Sequence, residues 1–457
     1  MIKRIYNLFA VIISLFLVFV VSSCDSANKL LILNWGEYIN MDVVEAFEKE
    51  YNCQVVISLA DSNDLFYSKV KSGTTVYDLV VPSDYMVEKM YLKGMLQKID
   101  HKKLGFESYD DYLNTFLPGV KAIINEMEAS FPGVKDYFIP YFWGTWGIMY
   151  NTSNEEIVNS IHTANEEGNP WKVMFEDNAL PKGSRVGMYE TSRYAYAAAM
   201  FYKGLSPNLE SNEALNIAKD VLNKKKFTSW ATDTLKKDIA HNNLDLGFMW
   251  TGDFLDMLYE QLSEKTLYET NIDILIPENT IAFCDNLVLT KNARHIDLAY
   301  KFINFFLKAE NAYNNASIIG YCTPVEKAYD MITQYKNNID TIDTFIDLLN
   351  ANKINKLAYS EKNLIASGTY LNNDIEVPYL IQLNMDTIKL IKNKPIAKVD
   401  SSLDGLDINW LLNWSYAVNK YYPKVVNNEK GYIGTVLSDL PREYIDKINT
   451  ICNNART

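Results

Sequence analysis

Strand and helix patterns alternate along residues 30–100, and this alternation constrains the fold more than any other feature of the sequence. Apolar runs typical of buried strands occur at residues 30–34, 54–59 and 77–83. Stretches with helical spacing follow each of them: one after Asn40, a suitable N-cap, and others at residues 63–71 and 86–92. Strands that alternate with helices predict a mostly parallel sheet covered by helices on both faces.

A second unit follows the aromatic-rich stretch 138–150, which is typical of a strand or a crossover between units. Further strands are predicted at residues 184–190, 245–250, 273–277 and 286–289, and helices at 194–203, 213–223 and 296–307. The chain has 457 residues, which is enough for two or three domains.

The N-terminal segment has the layout of a secretory signal. Lys3 and Arg4 precede an apolar run at residues 10–21, which is too short to favour a membrane-spanning helix. The following Val-Ser-Ser-Cys resembles the lipobox of bacterial lipoproteins. This resemblance implies a signal peptide at residues 1–23, lipidation of Cys24 and a tether at residues 24–29. An uncleaved N-terminal anchor is the alternative, and both readings place the remaining chain outside the cytoplasm on a membrane surface.

The balance of charge is acidic. The formal net charge is −13 at pH 7, and it becomes −15 when Lys3 and Arg4 are removed with the signal. Proteins that bind nucleic acid need basic patches to neutralise phosphates, so a nucleic-acid partner is not expected. An acidic chain permits a cationic ligand without proving one.

Aromatic, hydroxyl and acidic side chains gather where predicted strands end. The first strand runs into Trp35, Glu37 and Tyr38, which offer one negative charge and two aromatic faces for an organic cation. Similar clusters contain Ser83 with Tyr85, Trp250 with Asp253, Phe283 with Asp285, and Tyr321 at a turn. Each cluster alone has a structural interpretation, such as aromatic packing or a helix N-cap. Together they indicate a site, because strand exits converge at the edge of one crevice.

Four of these segments, in this order and spacing, resemble the spermidine/putrescine-binding proteins of bacterial polyamine ABC importers. The segments are Asn34-Trp35-Gly36-Glu37-Tyr38, DLVVPSDY at residues 78–85, GFMW at residues 247–250 and GYCTP at residues 320–324. The resemblance extends from about residue 30 to about residue 327. It implies an α/β, two-lobed periplasmic-binding-protein fold of type II, in which each lobe is a mostly parallel sheet flanked by helices.

The resemblance also implies where the lobes meet. Crossings are expected near residues 142–144 and 285–287, with a third after Tyr321. One lobe would comprise residues 30–143 with 286–325, and the other residues 144–285 with 326–457.

In this family an aromatic box surrounds the methylenes of the polyamine, and carboxylates hold its ammonium ends. The resemblance places box or wall positions at Trp35, Tyr38, Ser83, Tyr85, Trp250 and Tyr321, amine-binding acids at Glu37 and Asp285, and a cleft-lining hydroxyl at Thr232. The chemistry agrees with this assignment, because a desolvated ammonium needs a carboxylate. Burial of each methylene contributes about 0.8 kcal/mol of favourable free energy to binding.

Some positions depart from the family pattern. Two acids of the family align with Thr191 and Tyr194, so both carboxylates are absent unless Glu190 replaces one. The family's tryptophan before Asp285 aligns with Phe283, whereas Asp253, which is not a family position, can restore one negative charge. With fewer acids, the site is predicted to prefer putrescine to spermidine.

The implied role is transport, with an ABC permease and an ATPase as partners, a monomeric state and no cofactor. His101, His162, His241 and His295 show neither metal-binding spacing nor triad partners, so no enzymatic activity is predicted.

Cys53, Cys284, Cys322 and Cys452 match no metal motif and are interpreted mainly as small buried residues, with their pairing open. The remaining alternatives are a binding protein for another organic cation or a sugar, and an adhesive surface lipoprotein with the same fold. Glu37 and Asp285 favour a cation.

The tail from about residue 330 to Thr457 is longer than in the family. A helix is predicted at residues 409–420, where Trp410, Trp414 and Val418 lie four residues apart. The tail is therefore expected to be a helical extension packed on the second lobe, or a partner-docking segment.

Overall fold

The computed structural model describes residues 28–264, 270–333 and 431–457, together with three short strands at residues 358–360, 363–369 and 376–379. The predicted signal, Cys24 and the helix predicted at residues 409–420 lie outside these residues. Within the described part of the chain, no helix combines the length and apolar character needed to cross a bilayer.

The first part of the chain follows the predicted alternation of strands and helices. Its elements are β1 (Lys29–Asn34), α1 (Met41–Tyr51), β2 (Gln54–Leu59), α2 (Asn63–Ser72), β3 (Leu79–Val80), α3 (Asp84–Leu92), α4 (Tyr109–Leu113) and α5 (Pro118–Ser130), with short 3-10 helices at His101–Leu104 and Val134–Asp136. The side chain of Asn40 accepts a hydrogen bond from Asp42 N and caps α1, as predicted. Because β1 pairs in parallel with both β2 and β3, the carboxyl ends of all three strands lie at one edge of the sheet.

The second part builds another sheet in the same way. Its elements are β4 (Ile139–Asn151), α6 (Glu155–Glu166), α7 (Lys172–Phe175), a 3-10 helix at Asp177–Ala179, β5 (Val186–Tyr189), α8 (Ser192–Tyr202), α9 (Asn212–Lys224), β6 (Ser229–Ala231), α10 (Thr234–Ala240), β7 (Leu246–Trp250), α11 (Thr251–Glu264) and β8 (Ile272–Leu275). Strand β5 pairs in parallel with β6 and β7, so these three strands also end at one edge.

Two long antiparallel strands, β4 and β9 (Ile281–Leu289), join the two sheets. Strand β9 pairs with β3 on one side and β4 pairs with β7 on the other, giving the order β2-β1-β3-β9-β4-β7-β5-β6. Strand β9 begins five residues before the strand predicted at residues 286–289. The added residues include Phe283 and Asp285, which the sequence analysis assigns to a ligand-binding cluster. The α/β fold with two mostly parallel sheets flanked by helices is confirmed.

The three predicted crossings come together beside Trp143. Phe142 is paired with Asp285 and Trp143 with Cys284 in the β4–β9 ladder. The segment after Tyr321 joins them, since Trp143 N donates a hydrogen bond of 3.1 Å to Cys322 O. The lobe boundaries predicted at residues 143/144 and 285/286 lie on these two strands, which pair with each other.

In the C-terminal part, the described residues include strands as well as helices, whereas a helical extension was predicted. Its elements are α12 (Ile296–Leu307), α13 (Ala309–Ile319), α14 (Glu326–Thr333), β10 (Ala358–Ser360), β11 (Asn363–Thr369), β12 (Glu376–Tyr379), β13 (Thr435–Val436) and α15 (Arg442–Arg456). Strands β10, β11 and β12 form a small antiparallel sheet.

The prediction assigns residues 326–457 to the second lobe, and the described residues of this tail contact both lobes. Helix α14 begins against the first lobe, where Glu326 N donates to Thr115 O at 2.9 Å. The hydroxyl of Tyr432 donates to Glu126 on α5 of the same lobe. Helix α15 then packs against α8 and α9 of the second lobe. An amphipathic pattern indicates that one face of a helix is buried, but not which element covers it.

Cys53, Cys284, Cys322 and Cys452 are free thiols in the structure. The last three are buried, in agreement with their interpretation as small core residues.

Candidate ligand-binding site

A cavity of about 360 Å³ lies where the strand ends of the two sheets face each other. Its wall consists of residues that follow β1, β2 and β3 on one side and β5, β6 and β7 on the other, together with residues of β9 and of the turn at Tyr321. This is the position expected for a ligand crevice in open α/β sheets.

All of the predicted contact residues except Thr232 lie in the wall of this cavity. They are Trp35, Glu37, Tyr38, Ser83, Tyr85, Trp250, Asp253, Phe283, Asp285 and Tyr321. Thr232 is half-buried outside the wall, and the neighbouring Asp233 lines the cavity in its place. A shift of one residue at the end of the short strand β6 accounts for the difference.

The three candidate residues around the start of α8 separate into two groups. Thr191 and Tyr194 line the cavity. Glu190 is exposed and faces the C-terminal helix, with its carboxylate 3.8 Å from Arg456 Nη1. Glu190 therefore does not replace either of the two acids that are missing from the family pattern.

The aromatic side chains form a continuous wall. The rings of Tyr38 and Tyr321 meet edge to face with centroids 4.8 Å apart, and those of Trp250 and Phe283 meet at 4.5 Å. Tyr194 packs against Trp250 with centroids 5.3 Å apart. Such a surface can cover methylene groups and present π faces to a cation.

Asp285 is a buried acid in the wall of the cavity. Tyr38 Oη donates a hydrogen bond of 2.6 Å to Asp285 Oδ2, whereas Asp285 Oδ1 is buried without a hydrogen-bond partner. Burial raises the pKa of Asp285 to about 6, and the hydroxyls of Ser83 and Tyr38 oppose this shift. No ion pair joins Asp285 to a basic side chain among the described residues.

Ser83 is itself held in position by α2. Asn63 Nδ2 donates to Ser83 Oγ at 3.0 Å, and Ser83 N donates to Asn63 Oδ1 at 3.0 Å. Asn63 also lines the cavity, so this reciprocal pair fixes the wall between the ends of β2 and β3.

Glu37 lies in the cavity wall but is exposed to solvent, unlike Asp285. Its backbone is left-handed, with φ of +51°, which is uncommon for a residue other than glycine. The carboxylate acts electrostatically on Lys236 of the opposite lobe. Glu37 and Asp285 therefore share one cavity at different depths.

A lysine held between acids is the main feature that the sequence analysis missed. Lys236 Nζ lies 2.8 Å from Asp256 Oδ2 and 3.4 Å from Asp253 Oδ1. Asp253 was expected to restore a free negative charge near Trp250, but it is paired with this ammonium. Burial raises the pKa of Asp253 to about 6, although Lys236 opposes the shift.

The sequence carries signals for the missed residues. Lys236 lies on the face of α10 that also buries Leu235 and Ile239, so helical spacing points it inward. Asp61 follows β2 and Tyr189 is the last residue of β5, and strand ends are the places where ligand contacts are expected. Among the residues that the structure describes, no group of three or more His, Cys, Asp or Glu side chains is arranged to hold a metal ion.

Comparison with known proteins gives consistent matches. Residues 42–341 match a family described as bacterial extracellular solute-binding protein. The spermidine/putrescine-binding periplasmic protein of Escherichia coli K12 is 30% identical over 324 residues, which is 70% of this chain and 84% of that protein. The putrescine-binding periplasmic protein of Pseudomonas aeruginosa is 28% identical over 289 residues, or 62% of this chain and 75% of that protein.

A solved structure supports the fold. The spermidine/putrescine ABC transporter substrate-binding protein of Streptococcus pneumoniae matches with a TM-score of 0.55 at 23% identity, covering 94% of this chain and 100% of that one.

Proposed function

The chain belongs to the family of bacterial extracellular solute-binding proteins, and we propose that it captures a polyamine outside the cytoplasm for uptake by an ABC transporter. Members of this family bind solutes and do not catalyse reactions. The names of the relatives include both putrescine and spermidine, and the polyamine class comes from these names together with the chemistry of the cavity.

The buried carboxylate of Asp285 is the single observation on which the proposal of a cationic ligand depends. A buried carboxylate is costly unless it is paired, and Oδ1 of Asp285 lacks a hydrogen-bond partner. A primary ammonium supplies both the charge and the hydrogen-bond donor that this oxygen needs. The rings of Tyr38, Tyr321 and Trp250 then cover the methylenes beside it.

The excess of acids in the wall supports a cation over a sugar. Glu37, Asp61, Asp233, Asp256 and Asp285 line the cavity together with the Asp253–Lys236 pair. Carboxylates that line one cleft with low-dielectric walls focus a negative potential and concentrate cations there. Sugar sites can use neutral amides and do not require such a charge.

Binding and release then depend on the movement of two lobes about β4 and β9. The open protein would capture the polyamine, and closure would exclude water and strengthen the ion pair and the aromatic contacts. An ABC permease that is coupled to an ATPase would recognise the closed protein and receive the ligand. We further propose that putrescine is preferred to spermidine, that Cys24 anchors the protein to the membrane on the periplasmic side or at the cell surface, and that the protein acts as a monomer.

A ligand screen by thermal unfolding tests the polyamine class. A ligand present at 100 times its Kd stabilises the folded protein by about 2.7 kcal/mol. Putrescine or spermidine is expected to raise the unfolding temperature of the purified protein, whereas neutral sugars and amino acids leave it unchanged. A shift with a sugar and none with any polyamine would overturn the proposal.

A further inference from the structure

Lys236 places a positive charge inside an otherwise acidic cavity. Its side chain is buried, and its Nζ is bound between the carboxylates of Asp253 and Asp256. Although burial opposes the charged form, these two acids raise the pKa of Lys236 above its ordinary value. The ammonium of Lys236 is therefore charged at neutral pH.

This ammonium has the surroundings that a bound ligand ammonium would have. It has two carboxylate partners, and one of them, Asp253, also forms a hydrogen bond with Tyr321 of the aromatic wall. Tyr321 meets the ring of Tyr38, and the hydroxyl of Tyr38 donates to Asp285. The two acidic centres at Asp285 and at Asp253 are thus linked through two tyrosines whose rings meet edge to face, and of these two centres the one at Asp253 already holds a cation.

We propose that Lys236 occupies an ammonium position of the ligand slot, and that it makes the site selective for a short diamine over a longer triamine. The inference rests on the proposed polyamine function. Putrescine would place one ammonium on Asp285 and leave the Asp253–Asp256 pair to the protein's own lysine. Spermidine carries one more cationic centre, which would meet the charge of Lys236 instead of a free carboxylate. Like charges brought together in this way weaken binding.

A purely structural role is the other explanation for the same contacts. Lys236 joins α10 to α11, so the ion pair could serve only to hold two helices together. The structural role and the ligand-position role of Lys236 can be distinguished by different measurements. A structural lysine affects the stability of the protein, whereas a lysine that occupies a ligand position also changes the ratio of affinities for two polyamines of different length.

Calorimetric titration of Lys236→Met with putrescine and with spermidine tests the inference. Without the lysine, Asp253 and Asp256 become available to a third ammonium, and one charge-assisted hydrogen bond corresponds to roughly a tenfold change in affinity or more. The affinity for spermidine relative to putrescine is therefore expected to rise at least about tenfold. Lys237→Met is the matched control, because Lys237 is the next residue of the same helix and is exposed. It should leave the ratio unchanged.

A double variant covers the case in which Lys236→Met does not fold because Asp253 is left buried and unpaired. The double variant Lys236→Met/Asp253→Asn removes that carboxylate and keeps Asp256. The affinity for spermidine relative to putrescine is therefore expected to rise, but by less than in Lys236→Met. An unchanged ratio in whichever of the two variants folds would overturn the role of Lys236. Failure of the wild-type protein to bind either polyamine would instead overturn the proposed function itself.

Discussion

Tyr38 and Asp285 are 247 residues apart in the chain, yet the hydroxyl of Tyr38 donates a hydrogen bond of 2.6 Å to Asp285 Oδ2. Tyr38 follows the first strand of one lobe, and Asp285 lies on a strand that passes between the lobes. The contact therefore joins the wall of the cavity to the pair of strands at the lobe junction. It leaves the other carboxylate oxygen of Asp285 for a ligand.

The affinity for putrescine is expected to fall as the pH is lowered through 6. Burial raises the pKa of Asp285 to about 6, and only the ionised carboxylate can hold an ammonium. For one such group, lowering the pH from 7.5 to 5 predicts a loss of about tenfold in affinity. Titration calorimetry of the wild type and of Asp285→Asn over this range checks the prediction. The variant should show a flatter profile, and equal slopes in the two proteins would exclude Asp285 as the titrating group.

The same shift has the opposite effect on the stability of the empty protein. A carboxyl group whose pKa is raised by folding binds more protons in the folded state than in the unfolded state. Its contribution is fully present below its ordinary pKa of 3.8 and is lost as the pH rises through about 6. Without ligand, Asp285→Asn should therefore lose less stability than the wild type between pH 4 and pH 6, as measured by denaturant unfolding.

Glu37→Gln is expected to weaken putrescine binding less than removal of the Asp285 charge. Glu37 is exposed, and exposed ion pairs contribute only about 0–1 kcal/mol. Because salt screens exposed charges, its effect should shrink between 50 mM and 500 mM NaCl. Titrations at the two salt concentrations measure this. A loss as large as that of Asp285→Asn, and independent of salt, would show that the closed protein buries Glu37.

Gly252→Ala is expected to disturb the aromatic wall. A Cβ at position 252 would lie 2.2 Å from the ring of Tyr321, so the ring would have to move. Overpacking of this kind costs about 1–3 kcal/mol of stability, and putrescine binding should weaken with it. Gly36→Ala serves as the control for stability, since a Cβ at that position meets no atom within 4 Å. Equal unfolding temperatures for the two variants would contradict the close approach.

The sequence was sufficient to predict the sheet architecture and ten of the residues that line the cavity. Strands β1, β2 and β3 are short apolar runs between helical patterns, and the residues that follow parallel strands necessarily lie at one edge of the sheet. For this reason Trp35, Ser83 and Trp250 could be assigned to one crevice before the fold was known. Phe142 and Asp285 lie at two of the predicted crossings, but their pairing is a finding of the structure.

The depth and the charge state of individual acids could not be predicted in the same way. Both Glu37 and Asp285 lie beside aromatic residues in the sequence, but only the fold buries one and exposes the other. The ion pair of Lys236 with Asp253 joins two helices, and the sequence pattern of a helix does not indicate which other helix packs against it. Asp253 was therefore predicted as a free acid, although its charge is already neutralised.

Asp285→Asn measured against Glu190→Gln tests the central claim most directly. Both substitutions remove one carboxylate, but Asp285 lies in the cavity and Glu190 faces the C-terminal helix outside it. Loss of a charge-assisted hydrogen bond to an ammonium costs about 1.5–3 kcal/mol. Calorimetric titration with putrescine should therefore show at least about tenfold weaker binding for Asp285→Asn and an unchanged affinity for Glu190→Gln. Equal affinities for wild type and Asp285→Asn would contradict the account.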